Sequence, residues 1–160
     1  MKTIKFTCIA ITFLFVLTKC KTDPPTTDPN SFYLKCKVDG QAYLPENCAN
    51  CMTCDLIGDT VLIIGGNRGY ETIGFGIKDL GAIKQISYPL NESLLHRADY
   101  DNSPIVQDRF FTDASHTGQL NITKLDKPGR IIEGNFSFIA YNAYQNKTVS
   151  VTEGIFRLKF

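Results

Sequence analysis

The chain has no tryptophan, two methionines and two histidines. His96 and His116 are therefore its only imidazoles for acid–base or metal chemistry. Its 17 Lys+Arg and 16 Asp+Glu are dispersed, with no basic or acidic block. Binding a phosphate backbone needs concentrated positive charge, so a nucleic-acid partner is excluded. No apolar run reaches the ~20 residues of a membrane-spanning helix. There are no coiled-coil heptads and no internal repeat. Helical periodicity is nearly absent too, and the pattern that remains is alternation of apolar and polar residues.

The N-terminus is a different kind of segment. Lys2 and Lys5 precede an uncharged, mainly apolar run from Phe6 to Leu17, and Leu17-Thr18-Lys19-Cys20 follows. A charged start, a short apolar core and a cut site describe an export signal. The last four residues have the frame of a lipobox, which predicts a signal peptide over 1–19 and acylation of Cys20. Lys19 departs from the small residue usual before the cysteine, so an uncleaved anchor is the alternative. The run is short for that role. Acyl chains contribute ~0.8 kcal/mol per buried methylene, so two or three of them anchor a protein stably. Residues 20–31 carry Pro24, Pro25 and Pro29 and no large apolar side chain, which predicts a disordered tether. The signal takes Lys2, Lys5 and Lys19 and no acidic residue, leaving the mature chain slightly acidic. Residues 32–160 suit one domain with one core.

Period two dominates that domain. Phe32, Leu34, Cys36 and Val38 alternate with polar residues, and Asp39-Gly40 is a two-residue hairpin signal before Gln41 to Leu44. Pro45 to Asp59 reads as a loop, Thr60 to Ile64 as a buried strand and Gly65 to Gly69 as a turn. Ile73, Phe75 and Ile77 point one way and Gly74 and Gly76 the other, glycines that mark either a bend or a close approach. Ala82 to Tyr88 reads as a strand ending at Pro89, Leu90 to Arg97 as a helical turn, Asp99 to Pro104 as a turn and Ile105 to Asp113 as a strand. In the last third, Leu120 and Ile122 face inward, as do Phe136, Phe138 and Ala140. Val149 and Val151 have the opposite parity to Phe156, Leu158 and Phe160, so one extra residue near Glu153-Gly154 is needed, as in a β-bulge. The fold expected is all-β, an antiparallel meander of about eight or nine strands closed into a sandwich or barrel.

Three stretches, Gly118 to Asp126, Gly134 to Phe138 and Val151 to Phe156, resemble a family of uncharacterised Bacteroidota lipoproteins that share a domain of unknown function. Val38-Asp39-Gly40 followed by Tyr43 is similar to that family's opening hairpin. The resemblance implies an all-β domain on a Gram-negative cell envelope, as an outer-membrane lipoprotein facing the periplasm or the outside. It brings no catalytic residues.

Few residues carry chemistry. Asp113, Ser115 and His116 are close in sequence, but a hydrolase triad is assembled in space and needs an oxyanion hole. Asp99, Asp101 and Ser103 open like a calcium loop, but Pro104 and Phe110 stand where an EF-hand needs glycine and glutamate. Asp59-Thr60-Val61 has the form of a short O-glycosylation signal at Thr60. Cys36, Cys48, Cys51 and Cys54 are expected to form two disulfides in an exported protein, with Cys36 joined to Cys48 or Cys54 in preference to Cys51. The alternative is zinc held by all four thiolates. No cofactor is expected. The functional expectation is a non-catalytic envelope lipoprotein, held to the membrane through Cys20, that binds a glycan or another envelope protein. The alternative is a small-molecule or metal module on the cysteine loop. Clustered exposed tyrosines among Tyr33, Tyr43, Tyr70, Tyr88, Tyr100 and Tyr144 would favour glycan or protein binding.

Overall fold

The computed structural model describes residues 31–46, 48–91 and 95–160. The signal segment 1–19, Cys20 and the tether through residue 30 lie outside the described residues. The strands are β1 (Tyr33–Val38), β2 (Gln41–Tyr43), β3 (Met52–Ile57), β4 (Val61–Arg68), β5 (Glu71–Lys78), β6 (Ser87–Leu90), β7 (His96–Asp101), β8 (Phe110–Phe111), β9 (Gly118–Asp126), β10 (Ile131–Asn142) and β11 (Lys147–Lys159). A single 3-10 turn, Val106–Asp108, is the only helical element among the described residues.

All strand pairs are antiparallel. The main path runs β2-β1-β11-β10-β8-β7-β5-β4-β3, and β9 and β6 branch from β10. The nine-strand path curls into a half-barrel, as the alternation implied. Turn chemistry sets the hairpins. Asp39 and Gly40 have φ of 47° and 80°, and Gly58 and Asp59 have 55° and 60°. Two successive positive φ values match the right-handed twist of the flanking strands.

The curl can be read from ring contacts. β5 and β10 are not neighbours in the sheet, yet the Phe75 and Phe136 ring centroids lie 4.5 Å apart, and Phe75 meets Phe138 edge-on at 6.0 Å. Leu34, Leu62, Ile64, Ile73, Ile122, Ile132, Val151 and Phe156 complete one core. The bulge expected near Glu153-Gly154 is present. Phe136 pairs with Gly154 but Phe138 with Val151, and on the other side Lys35 pairs with Ile155 but Lys37 with Thr152. Glu153 has φ of 53°, and a Cβ on Gly154 would stand 2.5 Å from the Phe136 ring.

Several local expectations are corrected. The 45–59 loop contains strand β3, an edge strand on which Met52, Cys54 and Leu56 face the core but only Cys54 is fully buried. Gly65 and Gly66 do not turn the chain but continue β4 to Arg68. The site of a Gly66 Cβ is already occupied by Pro45 and Leu34, so here glycine marks close approach. Pro89 lies inside β6 rather than ending it, which an edge strand paired only with β9 tolerates. The helical turn expected over Leu90 to Arg97 is replaced at its ends by β6 and β7, while residues 92–94 lie outside the described residues. Asp99 to Asp101 belong to β7, and the strand expected from Ile105 shrinks to the 3-10 turn and β8. Phe32 is 41% exposed and not part of the inward set.

Phe136 is 3% exposed and touches rings from three other positions. Phe136→Ala should lower stability by about 3–5 kcal/mol in urea unfolding. A loss below about 1 kcal/mol would contradict its place in the core.

Candidate functional site

The inner face of the sheet is filled by the core, so the surface open to solvent is the outer face and the loops. Across β3, β4, β5, β7, β8 and β10, cross-strand pairing lines up Thr53, Gly65, Gly74, Asp99, Phe111 and Tyr141 in one row. The next row contains Ile63, Gly76 and Arg97, and the row on the other side Asn67, Thr72 and Asp101. Gly65, Gly74 and Gly76 carry no side chains, and the sheet surface dips there. The result is a trough of about 540 Å³ floored by these glycines, with Asn67 and Thr72 at one end and Arg97, Asp99 and Arg109 along one wall.

The three glycines are not equivalent. A Cβ at Gly65 would sit 2.8 Å from the Thr53 hydroxyl, and one at Gly74 would sit 3.0 Å from Asp99 Oδ1. A Cβ at Gly76 would meet nothing within 4 Å. Gly74 therefore makes room for the Asp99 carboxylate, and Gly76 leaves open space.

Arg109 organises the wall. Its Nε donates to Asp101 Oδ2 at 3.2 Å and lies 4.0 Å from Asp99 Oδ2. The Asn142 side-chain amide donates to the carbonyls of Gln107 and Arg109 at 2.8 and 3.2 Å, which fixes the short turn that presents Arg109. The guanidinium carbons of Arg97 and Arg109 stand 4.9 and 6.0 Å from the Phe111 ring centroid. Such stacking holds both planar cations at modest cost in side-chain freedom. A second hollow, lined by Phe111, Gln107, Tyr141 and Tyr144 among others, shares Arg97 and Arg109 with the trough and continues it. The wall presents the Arg97 and Arg109 guanidiniums beside the Asp99 carboxylate, and the buried Asp101 behind Arg109 offsets the second positive charge.

Asp99 is the perturbed group of this wall. Burial pushes its carboxyl above the usual value, Arg109 and Arg97 pull it down, and Asp101 pushes it up, for a net rise.

Asp113 and His116 do come together. His116 Nδ1 lies 3.0 Å from Asp113 Oδ1, the amides of Ser115 and His116 both donate to that oxygen at 2.7 Å, and the imidazole stacks on Tyr141 at 4.6 Å. Desolvation of Asp113 is outweighed by these bonds, and its carboxyl is held below the usual value. Ser115 reaches the pair through its backbone amide, so the carboxylate works as a loop-closing acceptor. Asp99 and Asp101 face Arg109, and Asp101 Oδ1 accepts the Ser103 amide at 3.1 Å. Thr60 is half-buried just before β4, next to Asp59, whose carboxylate pairs with Lys127 at 2.9 Å.

The cysteines depart from the expected pairing. Cys48 is bonded to Cys51, and Cys36 and Cys54 are free buried thiols. Cys36 faces the core from β1 and Cys54 from β3, and these two strands are far apart along the sheet path. Burial pushes both thiols up to about 12, with Glu71 adding to the rise at Cys36 and Asp55 at Cys54. With two of the four sulfurs joined to each other, the zinc arrangement is not formed. Among the described residues no group of three His, Cys, Asp or Glu side chains is placed to hold a metal.

The tyrosines do not form the exposed cluster that would have favoured glycan or protein binding. Tyr43, Tyr88 and Tyr100 are buried, and the exposed Tyr70 and Tyr144 lie on separate hairpins. Tyr43 instead donates to Gly66 O at 2.6 Å, under the Arg68 guanidinium. Sequence reasoning missed the trough. Its one visible trace was the glycine alternation in β5, which acquires meaning only once Gly65 is known to lie beside Gly74.

The Asp99 environment has a pH signature. Its raised value means that the folded state holds the proton more tightly than the unfolded state. Between the unfolded and folded values the folded state binds more protons, so stability falls as pH rises through that window. Relative to Asp99→Asn, the wild type should lose stability as pH rises from the ordinary aspartate value of about 3.9 through the raised folded value. Urea midpoints measured across that range check this, and parallel curves for the two proteins would contradict it.

No curated protein and no solved structure matches the chain. One family does, over residues 30–158. The chain belongs to that family, the domain of unknown function DUF6252.

Proposed function

We propose that this protein is a non-catalytic binding lipoprotein of a bacterial cell envelope, carried on the outer membrane by an acylated Cys20 and binding a glycan through the glycine-floored trough. The lipobox-like Leu17 to Cys20 and the proline-rich segment after it support the anchoring, and the likeness to Bacteroidota lipoproteins supports the compartment. The observation that carries the binding reading is the dip at Gly65, Gly74 and Gly76 beside Arg97, Asp99 and Arg109. A charge-balanced wall of planar donors and acceptors suits the vicinal hydroxyls of a neutral sugar chain. Guanidinium and carboxylate each bond two neighbouring oxygens in one plane. A strongly anionic ligand would meet the Asp99 and Asp101 carboxylates beside Arg109.

The anchoring is checked by detergent partition. Wild-type protein should enter the detergent phase, and Cys20→Ala should stay aqueous or persist as an uncut precursor. An aqueous wild type whose mature N-terminus lies beyond Cys20 would overturn the anchor.

The trough is checked by Gly76→Val. Because a Cβ there meets no atom within 4 Å, folding should be preserved, and stability should hold or rise by ~0.5–1 kcal/mol as a glycine leaves a strand interior. On an array of neutral and uronic-acid oligosaccharides, the wild type should retain neutral chains. Gly76→Val should bind those chains at least about tenfold more weakly, a loss of ~1.4 kcal/mol. Retention of acidic chains only, no retention, or equal binding by the variant would each contradict the reading.

A further inference from the structure

The connection between β2 and β3 has an unusual task. These strands are consecutive in sequence but occupy opposite ends of the nine-strand path. The described residues between them, 44–46 and 48–51, therefore cross the open side of the half-barrel. Both ends of the crossing are fastened to β4. The Glu46 amide donates to Asn67 O at 2.9 Å, and the Asn67 amide donates to Cys51 O at 2.7 Å. Arg68 donates to Ala42 O at 3.0 Å, and Pro45 fills the space over Gly66. The Cys48–Cys51 disulfide lies within this crossing.

Its two sulfurs live in different surroundings. Cys48 is exposed, whereas Cys51 is 7% exposed and lies just before β3. Attack on a disulfide needs a line of approach to one sulfur and a leaving thiolate on the other. Cys48 is the exposed residue of the pair, so approach is from its side. The remaining thiols, Cys36 and Cys54, are buried and protonated at neutral pH, so they do not compete in exchange.

We infer that Cys48–Cys51 is a thiol–disulfide exchange site, entered at Cys48 by an external thiol, and that its reduction loosens the crossing that closes the half-barrel. A thiolate attacks Cys48 Sγ, a new sulfur–sulfur bond forms there, and the Cys51 thiolate leaves and takes a proton from water. A second thiolate attacks the incoming sulfur of the mixed disulfide and releases Cys48 as a thiolate, which is protonated in turn. Two electrons and two protons pass to the protein, and two external thiols become one disulfide. The thiol can be a small molecule such as glutathione or one arm of a protein dithiol. The chemistry is the same, and a protein dithiol must in addition dock against the exposed side of the crossing.

The test uses the full mature chain without denaturant, treated with reduced glutathione or with reduced thioredoxin, then alkylated and mapped by mass spectrometry. Glutathione should be found on Cys48, and Cys48 and Cys51 should both become alkylatable while Cys36 and Cys54 stay unlabelled. Reaction with thioredoxin and none with glutathione would assign the site to protein dithiols, and the reverse to small thiols. Treated instead with oxidised glutathione, Cys51→Ser should take up glutathione on Cys48 by exchange, with one reduced glutathione released and the mixed disulfide left unresolved. Cys48→Ser should leave a Cys51 thiol that reacts at least about tenfold more slowly than Cys48 does in Cys51→Ser. Amide exchange at Glu46 and Asn67 should accelerate at least about tenfold on reduction, with β9 to β11 unchanged. Glutathione on Cys51, reduction only under unfolding conditions, or unaltered exchange at Glu46 and Asn67 would overturn the inference.

Discussion

The extra residue in β11 is the constraint from which the sheet takes its shape. Side chains alternate strictly along a strand, so Val149 and Val151 cannot share a face with Phe156 and Leu158 unless one position is inserted. The insertion at Thr152 to Gly154 is felt by both neighbours, β1 and β10, whose registers shift at the same place. A bulge adds bend and twist to its strand. Here the bend faces the core, where the Phe136 ring lies against the bare Gly154 backbone and Phe75 lies against Phe136. The curl of the sheet, the burial of its aromatic cluster and the separation of an inner from an outer face all follow from that packing.

Curling has a second consequence at the opposite end of the path. The chain must run from β2 to β3 across the opening, and the sheet bears on that crossing through β4. Gly66 is bare so that Pro45 and Leu34 can approach it, and Tyr43, Arg68 and Glu71 join the two edges. Burial and the nearby Glu71 push the Tyr43 phenol well above its usual value, so it stays a donor to Gly66 O at any physiological pH. On the outer face the same strands leave a hollow where glycines of β4 and β5 meet. A buried seam and an exposed trough thus share the glycine-rich pair β4 and β5, one on each face.

The last third of the domain was legible in the sequence because its residues alternate cleanly and its one fault, the parity change, came with a glycine to absorb it. The Asp39-Gly40 hairpin was legible for the same local reason. Features that depend on pairing between distant segments were not. Gly65-Gly66 resembles a turn until Pro45 is seen to occupy its missing side chain. β3 is hidden because it is short, lies among three cysteines and turn formers, and as an edge strand fully buries only Cys54. Of the two disulfides expected among the four cysteines one forms, and with a different partner choice. The short Cys48-to-Cys51 separation closes locally, while Cys36 belongs to a strand held elsewhere in the sheet. The trough was beyond reach because it arises from register, which sets Gly65 beside Gly74 and Asp99 beside Phe111.

The central claim is that ligand meets this domain on the outer face of β4, β5 and β7. Hydrogen–deuterium exchange of the mature protein, with and without the glycan fraction of its own envelope, tests it most directly. The account predicts new protection confined to Gly65–Asn67, Thr72–Gly76, Arg97–Asp99 and Arg109–Phe111. Protection on the outer face of β9 to β11 instead, or none anywhere, would contradict it.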